Sequence, residues 1–476
     1  MDAHCPRARH SSQSESNRFH RTRCHVNANA TEQIARFIAT TRYEDIPQPV
    51  RAATRTIILD GIANLLAGSK QPVLDHIHRY VERLGGRPEC AVVGASFRTN
   101  ALLAAFANGA AMHVLDYEPQ GIPSTHGTST LLPGVLALAE VNGSSGREVL
   151  TAFAVGWEIQ QRIAMAARKS ESRPFHPPGI YGPPSAATAC AKLLGLDEQK
   201  VRMALGIGAS RTGALFANNG TMTKCTHPGN SCRMGVEAAL LAADGFTAHD
   251  AIFETERGYV ETIFGAEFVW EDLLDGLGSR WNLEQHGFNI KRYPAQINMQ
   301  WATESVVLLR EKHGIRADDV EWLEIEASSR RPGLSRPAPE TGLDGKFSYQ
   351  YVAAVALTQD QVGIDSFSDA VRFSAPVEAA LKKIRLKPNP DISTSTLETW
   401  VQARAKLKDG RELVERCDAY RGSSRNPIGR DQHLVKVRDC MRRALPEAAM
   451  ERLIDLVDGL EEVQDARVLA RALSGA

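Results

Sequence analysis

The sequence predicts a mostly α-helical protein that carries a second, smaller α+β domain. Helical spacing of apolar residues begins near residue 31 and dominates the first half of the chain, where alanine is plentiful. Two later segments, 320–327 and 401–407, instead alternate apolar with other residues, which is typical of strands. The tail, 446–474, returns to helical spacing. Because 476 residues exceed one compact core, we expect two domains.

Residues 1–29 are expected to form a disordered extension, because they are rich in arginine and serine and poor in apolar residues. Organelle transit peptides share this composition, although no apolar face is visible here. The eight cysteines are scattered and contain no C-x-x-C pair, which favours a reduced intracellular protein. We therefore expect a cytoplasmic protein, with a mitochondrial location as the alternative.

The first part of the helical domain is predicted to span residues 30–286. Its helices end where glycine follows the apolar stripe, as at Gly195 and Gly245. The expected helical segments are 31–38, 57–66, 98–111, a helix after Pro133, 146–167, 185–195, 198–209 and 231–244.

The α+β domain is predicted to span residues 287–422. Asp409–Gly410 follows the second strand and supplies a hairpin turn, and helices are expected at 301–313 and 347–358. Residues 423–476 are expected to return to the helical domain. The α+β domain would then be an insertion within it.

Composition excludes several classes of function. Lysine plus arginine equals aspartate plus glutamate, 56 each, so nothing favours nucleic acid or a membrane surface. No apolar run is long enough to span a bilayer. The sequence also lacks a dinucleotide loop, a Walker A motif, a nucleophile elbow and metal-binding spacings, so we expect no metal.

A basic motif precedes the predicted helix at 231–244. Lys224 and His227 stand three residues apart between glycines, and a cation at a helix N-terminus is a natural receptor for a carboxylate. Lys291 and Arg292 form a second basic cluster. The simplest alternative is that Lys224 and Lys291 are solvated surface charges.

Three further polar residues are Asp116, His126 and His176, and the two histidines lie directly before glycine and proline. A histidine near neutral pKa can accept or donate a proton, so the three are candidates for acid–base chemistry. The alternatives are helix capping in the loop that carries Asp116 and His126, and turn stabilisation by His176 beside its diproline.

From about residue 32 the sequence resembles the 2-methylcitrate dehydratase and cis-aconitate decarboxylase family, known as MmgE/PrpD. Several segments carry this resemblance in the family's order. They are Asp116–Tyr117, Thr125–His126 with Leu132–Pro133, Phe175–Pro178, Thr223–Lys224 with His227–Asn230, Lys291–Pro294 and Ser348–Tyr351.

The resemblance implies a large helical domain built from both chain ends, an α+β lid, and an active site between them. It also implies a homodimer that needs no metal or organic cofactor. The positions that match the active site of the decarboxylase branch are Asp116, His126, His176, Lys224 and Lys291.

The departures concern the residues around this charged core. Gln120 and Gln296 stand where the decarboxylases have threonine and histidine, and their tyrosine is replaced near Gly333, ahead of Arg336. These changes indicate a tricarboxylate that differs from cis-aconitate. The residues that we expect to bind the substrate are Thr125, His227, Arg292, Gln296, Gln120 and Arg336.

The reaction expected from the resemblance is dehydration of 2-methylcitrate or a longer 2-alkylcitrate to an aconitate. Lys224 and Lys291 would hold carboxylates and stabilise enolate-like charge, while a histidine transfers the proton. Which histidine is acid and which is base stays open. The alternative is decarboxylation of cis-aconitate or a relative, and a third hypothesis is a non-catalytic dimer that binds small acids.

Overall fold

A computed structural model of the chain describes residues 29–170 and 175–473. Apart from Asn29, the segment expected to be disordered lies outside the described residues. The architecture confirms the predicted fold class: helices dominate, and one small mixed sheet lies in the second half. Within the described ranges, no helix combines the length and the apolar character that a bilayer crossing requires.

The first half of the chain is helical apart from one short ribbon. The ribbon pairs β1 (Cys90–Ala91) with β2 (Arg98–Thr99). The helices are α1 (Ala30–Thr40), α2 (Gln48–Gly68), α3 (Val73–Leu84), α4 (Ala101–His113), α5 (Gly127–Asn142), α6 (Gly146–Ala166), α7 (Pro177–Leu193), α8 (Glu198–Ala209), α9 (Thr223–Ala243), α10 (Tyr259–Ile263), α11 (Trp270–Leu274) and α12 (Asn282–Gln285).

The second half combines helices with a four-stranded sheet and ends in three more helices. The strands are β3 (Val320–Ser328), β4 (Ile384–Asn389), β5 (Val401–Leu407) and β6 (Glu412–Cys417). The helices are α13 (Ile297–His313), α14 (Gly342–Gly345), α15 (Tyr349–Thr358), α16 (Asp369–Arg372), α17 (Ala375–Leu381), α18 (Arg430–Met441), α19 (Glu447–Asp458) and α20 (Arg467–Leu473).

The sheet has the strand order β4-β3-β5-β6, with β3 parallel to β4 and antiparallel to β5. Leu323 pairs with Ala405 and Ile325 with Ala403, so the alternating residues of both strands share one buried face. Helices α13 and α15 pack against the sheet. The predicted hairpin joins β5 to β6, and Gly410 adopts a φ of 94° in its turn.

Two hydrophobic cores divide the chain. One draws on residues 30–283, on Ile364 and on residues 437–473, and the other draws on residues 295–420. The C-terminal helix α18 contacts α2, and α20 contacts α5, so the chain end packs on the helical part. These cores support the domain boundaries that we propose from the sequence.

Local signals locate several helices well. Ser145 caps α6 by a capping box with Glu148, and Asp197 caps α8, so both helices begin where the sequence predicts. Gly195 and Gly245 follow α7 and α9 in left-handed conformations, as expected for helix stops.

Three helices begin earlier than the sequence predicts, and each of them contains proline. The expected helix after Pro133 starts at Gly127, and the helices expected at 185–195 and 231–244 start at Pro177 and Thr223. A proline removes one backbone hydrogen bond, but tight packing of these small-residue helices overrides that cost. Consequently Lys224 and His227 lie in the first two turns of α9, and the prediction of a loop before the helix is wrong.

Two glycines allow α4 and α9 to cross at close range. A Cβ atom on Gly109 would lie 2.8 Å from the Gly229 Cα, and a Cβ atom on Gly229 would collide with the Phe106 carbonyl oxygen. We expect Gly229→Ala to lower the free energy of unfolding by about 1–3 kcal/mol, because the helices must separate. Urea denaturation measures this change.

Gly363→Ala is the matched control. Its φ is −130°, and no described neighbour lies within 4 Å of an added Cβ atom. We expect its stability to change by less than about 0.5 kcal/mol. Equal stabilities of the two variants would show that the crossing tolerates a methyl group.

Candidate active site

The carboxylate of Asp116 lies between the ammonium groups of two lysines. Its Oδ2 atom is 2.9 Å from Lys224 Nζ, and its Oδ1 atom forms an ion pair with Lys291 Nζ. Asp116 comes from the loop between α4 and α5, Lys224 from the first turn of α9, and Lys291 from the segment between α12 and α13. All three side chains are buried, so the interpretation of the lysines as solvated surface charges is wrong.

Lys291 contacts both the side chain and the backbone of Asp116. Its side chain is fully buried, and its ammonium group also donates to the Asp116 carbonyl oxygen at 2.7 Å. These contacts fix Asp116. The contact of Lys291 with a substrate carboxylate stays a prediction.

A third buried lysine braces the same loop. Lys346 Nζ donates to the carbonyl oxygens of Leu115 and Pro294, both at 2.9 Å. Leu115 directly precedes Asp116, and Pro294 lies shortly after Lys291. Lys346 therefore connects the α+β half of the chain to the two segments that carry this ion pair. Asp116 itself has a φ of 51°, a left-handed conformation that a non-glycine residue adopts only when its surroundings stabilise it.

Glu118 organises two histidines beside this ion pair. Its Oε1 atom is 2.6 Å from His113 Nδ1 and 2.7 Å from His126 Nδ1, and it accepts a hydrogen bond from Ser129 Oγ at 3.0 Å. Because an ionised carboxylate only accepts hydrogen bonds, we place a proton on each Nδ1 atom. The Nε2 atom of each neutral ring is then an acceptor.

The two Nε2 atoms have different partners. His113 Nε2 lies 2.7 Å from Lys224 Nζ, so a chain of contacts runs from Glu118 through His113 and Lys224 to Asp116. His126 Nε2 lies 2.9 Å from the amide nitrogen of Gln120. In both contacts the partner nitrogen donates a hydrogen bond to Nε2 of the ring, which is consistent with a proton on Nδ1.

His176 approaches from the N-terminus of α7. Its ring centroid is 5.7 Å from that of His126 and 5.8 Å from that of His113, and its Nδ1 atom is 3.0 Å from His227 Nδ1. The backbone N–H of His176 donates to Ala214, so the residue also takes part in a local bridge. The structure thus brings together Asp116 and the predicted histidines.

Burial decides the charge of these groups. Burial, followed by the charge of Lys224, lowers the pKa of His113 to about 3 and that of His227 to about 4. The same two causes hold the pKa of His176 well below its usual value, and burial lowers the pKa of His126. The histidines are therefore uncharged at neutral pH.

The carboxylates stay ionised although they are buried. Burial alone would raise their pKa values, but Lys224 and Lys291 hold the pKa of Asp116 well below its usual range. The Nδ1–H groups of His113 and His126 donate hydrogen bonds to Glu118 and hold its pKa well below its usual range. The site combines fixed charges with neutral imidazoles.

A cavity of about 680 Å³ opens against this cluster, and we name it the acid lobe. Its lining includes Asp116, His126, His176 and Lys224, and it extends to the 393–398 loop of the α+β half. A second space of about 690 Å³, the apolar lobe, shares part of that lining. The apolar side chains of this lobe are Phe175, Ile180, Tyr181, Phe216, Ile263, Phe264, Leu334 and Phe347.

The predicted substrate-binding residues divide into two groups. Gln120 and Gln296 line the acid lobe, and Arg336 lines the apolar lobe, where it forms an ion pair with Asp344. Gln296 also lines the apolar lobe and caps α13.

The other three predicted binding residues lie behind the lining of both lobes. The Thr125 hydroxyl accepts a hydrogen bond from the Gln161 amide, and His227 supports His176. The Arg292 guanidinium lies over the Tyr293 ring, 5.9 Å from its centroid. In the structure these residues contact protein groups, and their contact with the substrate stays a prediction.

Tertiary structure also brings together a possible set of metal ligands that sequence spacing did not reveal. One ring nitrogen each from His113, His126 and His176 lie within 4.8 Å of one another, and a second group contains Asp116, Glu118 and His126. A metal ion on the histidine set would compete with Lys224, whose ammonium group already contacts His113 Nε2. The residues thus fit a metal only if this lysine moves.

The sequence-based prediction missed four residues of the site. His113 ends α4, three residues before Asp116, and Glu118 follows two residues after it, so their spacing was an available signal. Lys346 precedes the conspicuous Ser348–Tyr351 segment. Arg331 lines both lobes and carried no local signal that we recognised.

Comparison with known proteins supplies the family. The MmgE/PrpD N-terminal domain matches residues 32–271, and the MmgE/PrpD C-terminal domain matches residues 293–462. The chain belongs to the MmgE/PrpD family. The resemblance inferred from the motifs is thereby confirmed.

Among MmgE/PrpD relatives, the cis-aconitate decarboxylase of Mus musculus is 30% identical, over 94% of this chain and 93% of its own. The Homo sapiens cis-aconitate decarboxylase is 29% identical over 94% of both chains. An Aspergillus terreus cis-aconitate decarboxylase is 26% identical over 93% of this chain and 96% of its own. Family membership identifies the present chain as an enzyme of the lyase class.

The neutral histidines predict that the protein loses stability as the pH falls below about 6.5. The unfolded chain binds protons at these positions, whereas folded His113 and His227 resist protonation down to about pH 3 and 4. The depressed pKa of Asp116 acts in the same direction at lower pH. We expect the free energy of unfolding to decrease by about 1.4 kcal/mol per pH unit for each such histidine.

Urea unfolding between pH 7.5 and pH 5 measures this slope. His227→Gln removes one of the titrating groups and should make the slope shallower. His76→Gln is the matched control, because His76 is exposed on α3. A flat profile for the unmodified protein, or an equal slope in both variants, would contradict the assignment of buried neutral rings.

Proposed function

We propose that this enzyme decarboxylates cis-aconitate or a closely related unsaturated tricarboxylic acid. The observation that carries the proposal is the buried Asp116 between Lys224 and Lys291, with the neutral His126 and His176 beside it on the acid lobe. The full-length similarity to cis-aconitate decarboxylases supports this reaction over the dehydration that we favoured from the sequence.

Charge development explains why lysine is needed. When the bond to one carboxylate breaks and carbon dioxide leaves, the electron pair passes into the remaining unsaturated acid. Negative charge then grows on the remaining carboxylates, where a fixed cation in a dry site stabilises it best. Lys224 is the lysine of the Asp116 pair that lines the acid lobe.

A proton must then be added to carbon, and His176 is our candidate donor. Its pKa is low in the free enzyme because of burial and Lys224. A bound tricarboxylate brings negative charge that favours the imidazolium, so substrate binding raises the pKa of His176 and the ring takes up a proton from water. His126, with Nδ1 held by Glu118, is arranged as an acceptor.

Dehydration of a 2-alkylcitrate is the second candidate. Here a base removes a proton from carbon, hydroxide leaves the neighbouring carbon as water, and a carbon–carbon double bond forms. The apolar lobe favours this candidate, because it would hold an alkyl group beside the acid lobe. Gln120 and Gln296 are consistent with an altered substrate.

The oligomeric state, the location and the cofactor requirement stay predictions. We propose a homodimer that works without metal or organic cofactor, in the cytoplasm or, as the alternative, in mitochondria. The competition between Lys224 and a metal for His113 supports a metal-independent reaction.

A substrate panel tests the proposed function. The purified protein is incubated with cis-aconitate, alkyl-substituted aconitates, 2-methylcitrate and longer 2-alkylcitrates, with and without a chelator. We expect carbon dioxide release from cis-aconitate or an alkyl-substituted aconitate, at the same rate with chelator. A new alkene absorbance without gas from an alkylcitrate would favour dehydration, and no product from any acid would refute both candidates.

Two variants test the roles of the charged core. Lys224→Met removes the cation but leaves Asp116 paired with Lys291, and we expect kcat/KM to fall about 100-fold or more. His176→Ala should lower kcat by about 10²–10⁴-fold, the range of general acid–base catalysis.

Controls separate catalysis from folding. Lys70→Ala and His76→Ala change exposed residues of the same types and should retain full activity. Because Lys224 is buried, its variant is assayed only where urea unfolding shows a folded population. A folded, fully active Lys224→Met would refute the proposed role of the lysine.

A further inference from the structure

Arg331 is a cation on the wall that the α+β half contributes to the cavity. It follows the end of β3 and lines both the acid lobe and the apolar lobe. The acid lobe is lined by Lys224 on the helical side and by Arg331 on the other side. A ligand in that lobe therefore meets positive side chains from both halves of the chain.

Two other positively charged side chains that line the lobes, Lys224 and Arg336, are also buried or partly buried, and both already have carboxylate partners. Lys224 shares Asp116 with Lys291, and Arg336 is paired with Asp344. The charge of Arg336 is thus balanced before any substrate binds, whereas two lysines that share one carboxylate leave one positive charge near Lys224.

Arg331, in contrast, has no carboxylate within ion-pair distance in the part of the chain that the structure describes. One terminal nitrogen donates weakly to the Thr394 carbonyl oxygen at 3.5 Å, and the buried Nε–H has no acceptor among the described residues. A guanidinium has five donors, and leaving them unpaired in a partly buried position is unfavourable. Burial accordingly lowers the pKa of Arg331.

We propose that Arg331 binds a carboxylate of the substrate, away from the carboxylate that lies near Lys224. The planar fork of the guanidinium suits a carboxylate, with two parallel hydrogen bonds. Arg331 would then select acids with at least two carboxylates far enough apart to reach both walls. This inference rests on the proposed function for the chemical class of the substrate.

Binding of propane-1,2,3-tricarboxylate tests the inference without requiring turnover. This acid has the carboxylates of aconitate but no double bond, so calorimetry measures its affinity for the unmodified protein and the variants. We expect Arg331→Gln to weaken binding roughly 10- to 100-fold, the range for hydrogen bonds to charged groups. We expect the affinity of Arg331→Lys to lie between those of the unmodified protein and Arg331→Gln, because lysine keeps the charge but lacks the parallel donors of the guanidinium.

Arg452→Gln is the matched control, since Arg452 is exposed on α19, carries the same charge and lies outside the lining of both lobes. We expect it to bind the tricarboxylate as the unmodified protein does. Equal affinities of Arg331→Gln and Arg452→Gln would overturn the inference.

Mono-amides of the same acid separate a direct contact from a general loss of positive charge. One mono-amide lacks the carboxylate that Arg331 contacts, so Arg331→Gln should weaken its binding no further. If the variant weakened every mono-amide as much as the parent acid, the proposed contact would be refuted.

The substrate panel keeps the two proposals distinguishable. If the protein turned over none of the acids but bound the tricarboxylate through Arg331, the proposed reaction would fail and the inference would stand. If it decarboxylated cis-aconitate with equal kcat/KM in Arg331→Gln, the inference alone would fail. An unmodified protein that binds no tricarboxylate would overturn the inference as well.

Discussion

The buried carboxylate of Asp116 is the constraint on which the rest of the site depends. A charge removed from water is tolerated only when it is paired, and here two lysines from distant segments provide the pairing. Lys224 is 108 residues away from Asp116 in the sequence, and Lys291 is 175 residues away. The loop after α4, the start of α9 and the segment before α13 are therefore held in one arrangement.

The same requirement ties the two halves of the chain together. Lys346 reaches from the α+β half to the carbonyls of Leu115 and Pro294, and so it fixes the backbone on either side of the ion pair. On the opposite flank, Lys436 of α18 donates to the carbonyl of Tyr117 at 2.8 Å while it pairs with Asp60 of α2. The C-terminal helices thus help to hold the loop that carries Asp116.

Burial gives this site its chemical character. The buried carboxylates keep their charges, because Lys224 and Lys291 hold the pKa of Asp116 low and hydrogen bonds do so for Glu118. The histidines lose theirs, because burial lowers their pKa values. A cavity with a fixed cation and neutral imidazoles suits reactions in which negative charge appears on an acid and a single proton moves. The adjoining apolar lobe and the unpaired Arg331 then offer ways to choose among acids.

The sequence by itself determined the elements whose signals are local. Capping residues locate α6 and α8, and the alternation of β3 and β5 follows from one buried sheet face. The family motifs identified Asp116, His126, His176, Lys224 and Lys291, although they did not distinguish Lys291 as a support behind the cavity. The internal prolines led to wrong predictions for the starts of α5, α7 and α9. In these helices, packing outweighs the backbone hydrogen bond that a proline removes.

Only the tertiary structure decided which charges meet. Glu118 and His113 resemble ordinary polar residues in the sequence, yet they set the tautomer of His126 and the contact of Lys224. Nothing local distinguishes Arg331, which has no ion-pair partner among the described residues, from Arg336, which has one. Periodicity and capping report interactions within a few residues, whereas ion pairing and burial depend on segments more than 100 residues apart.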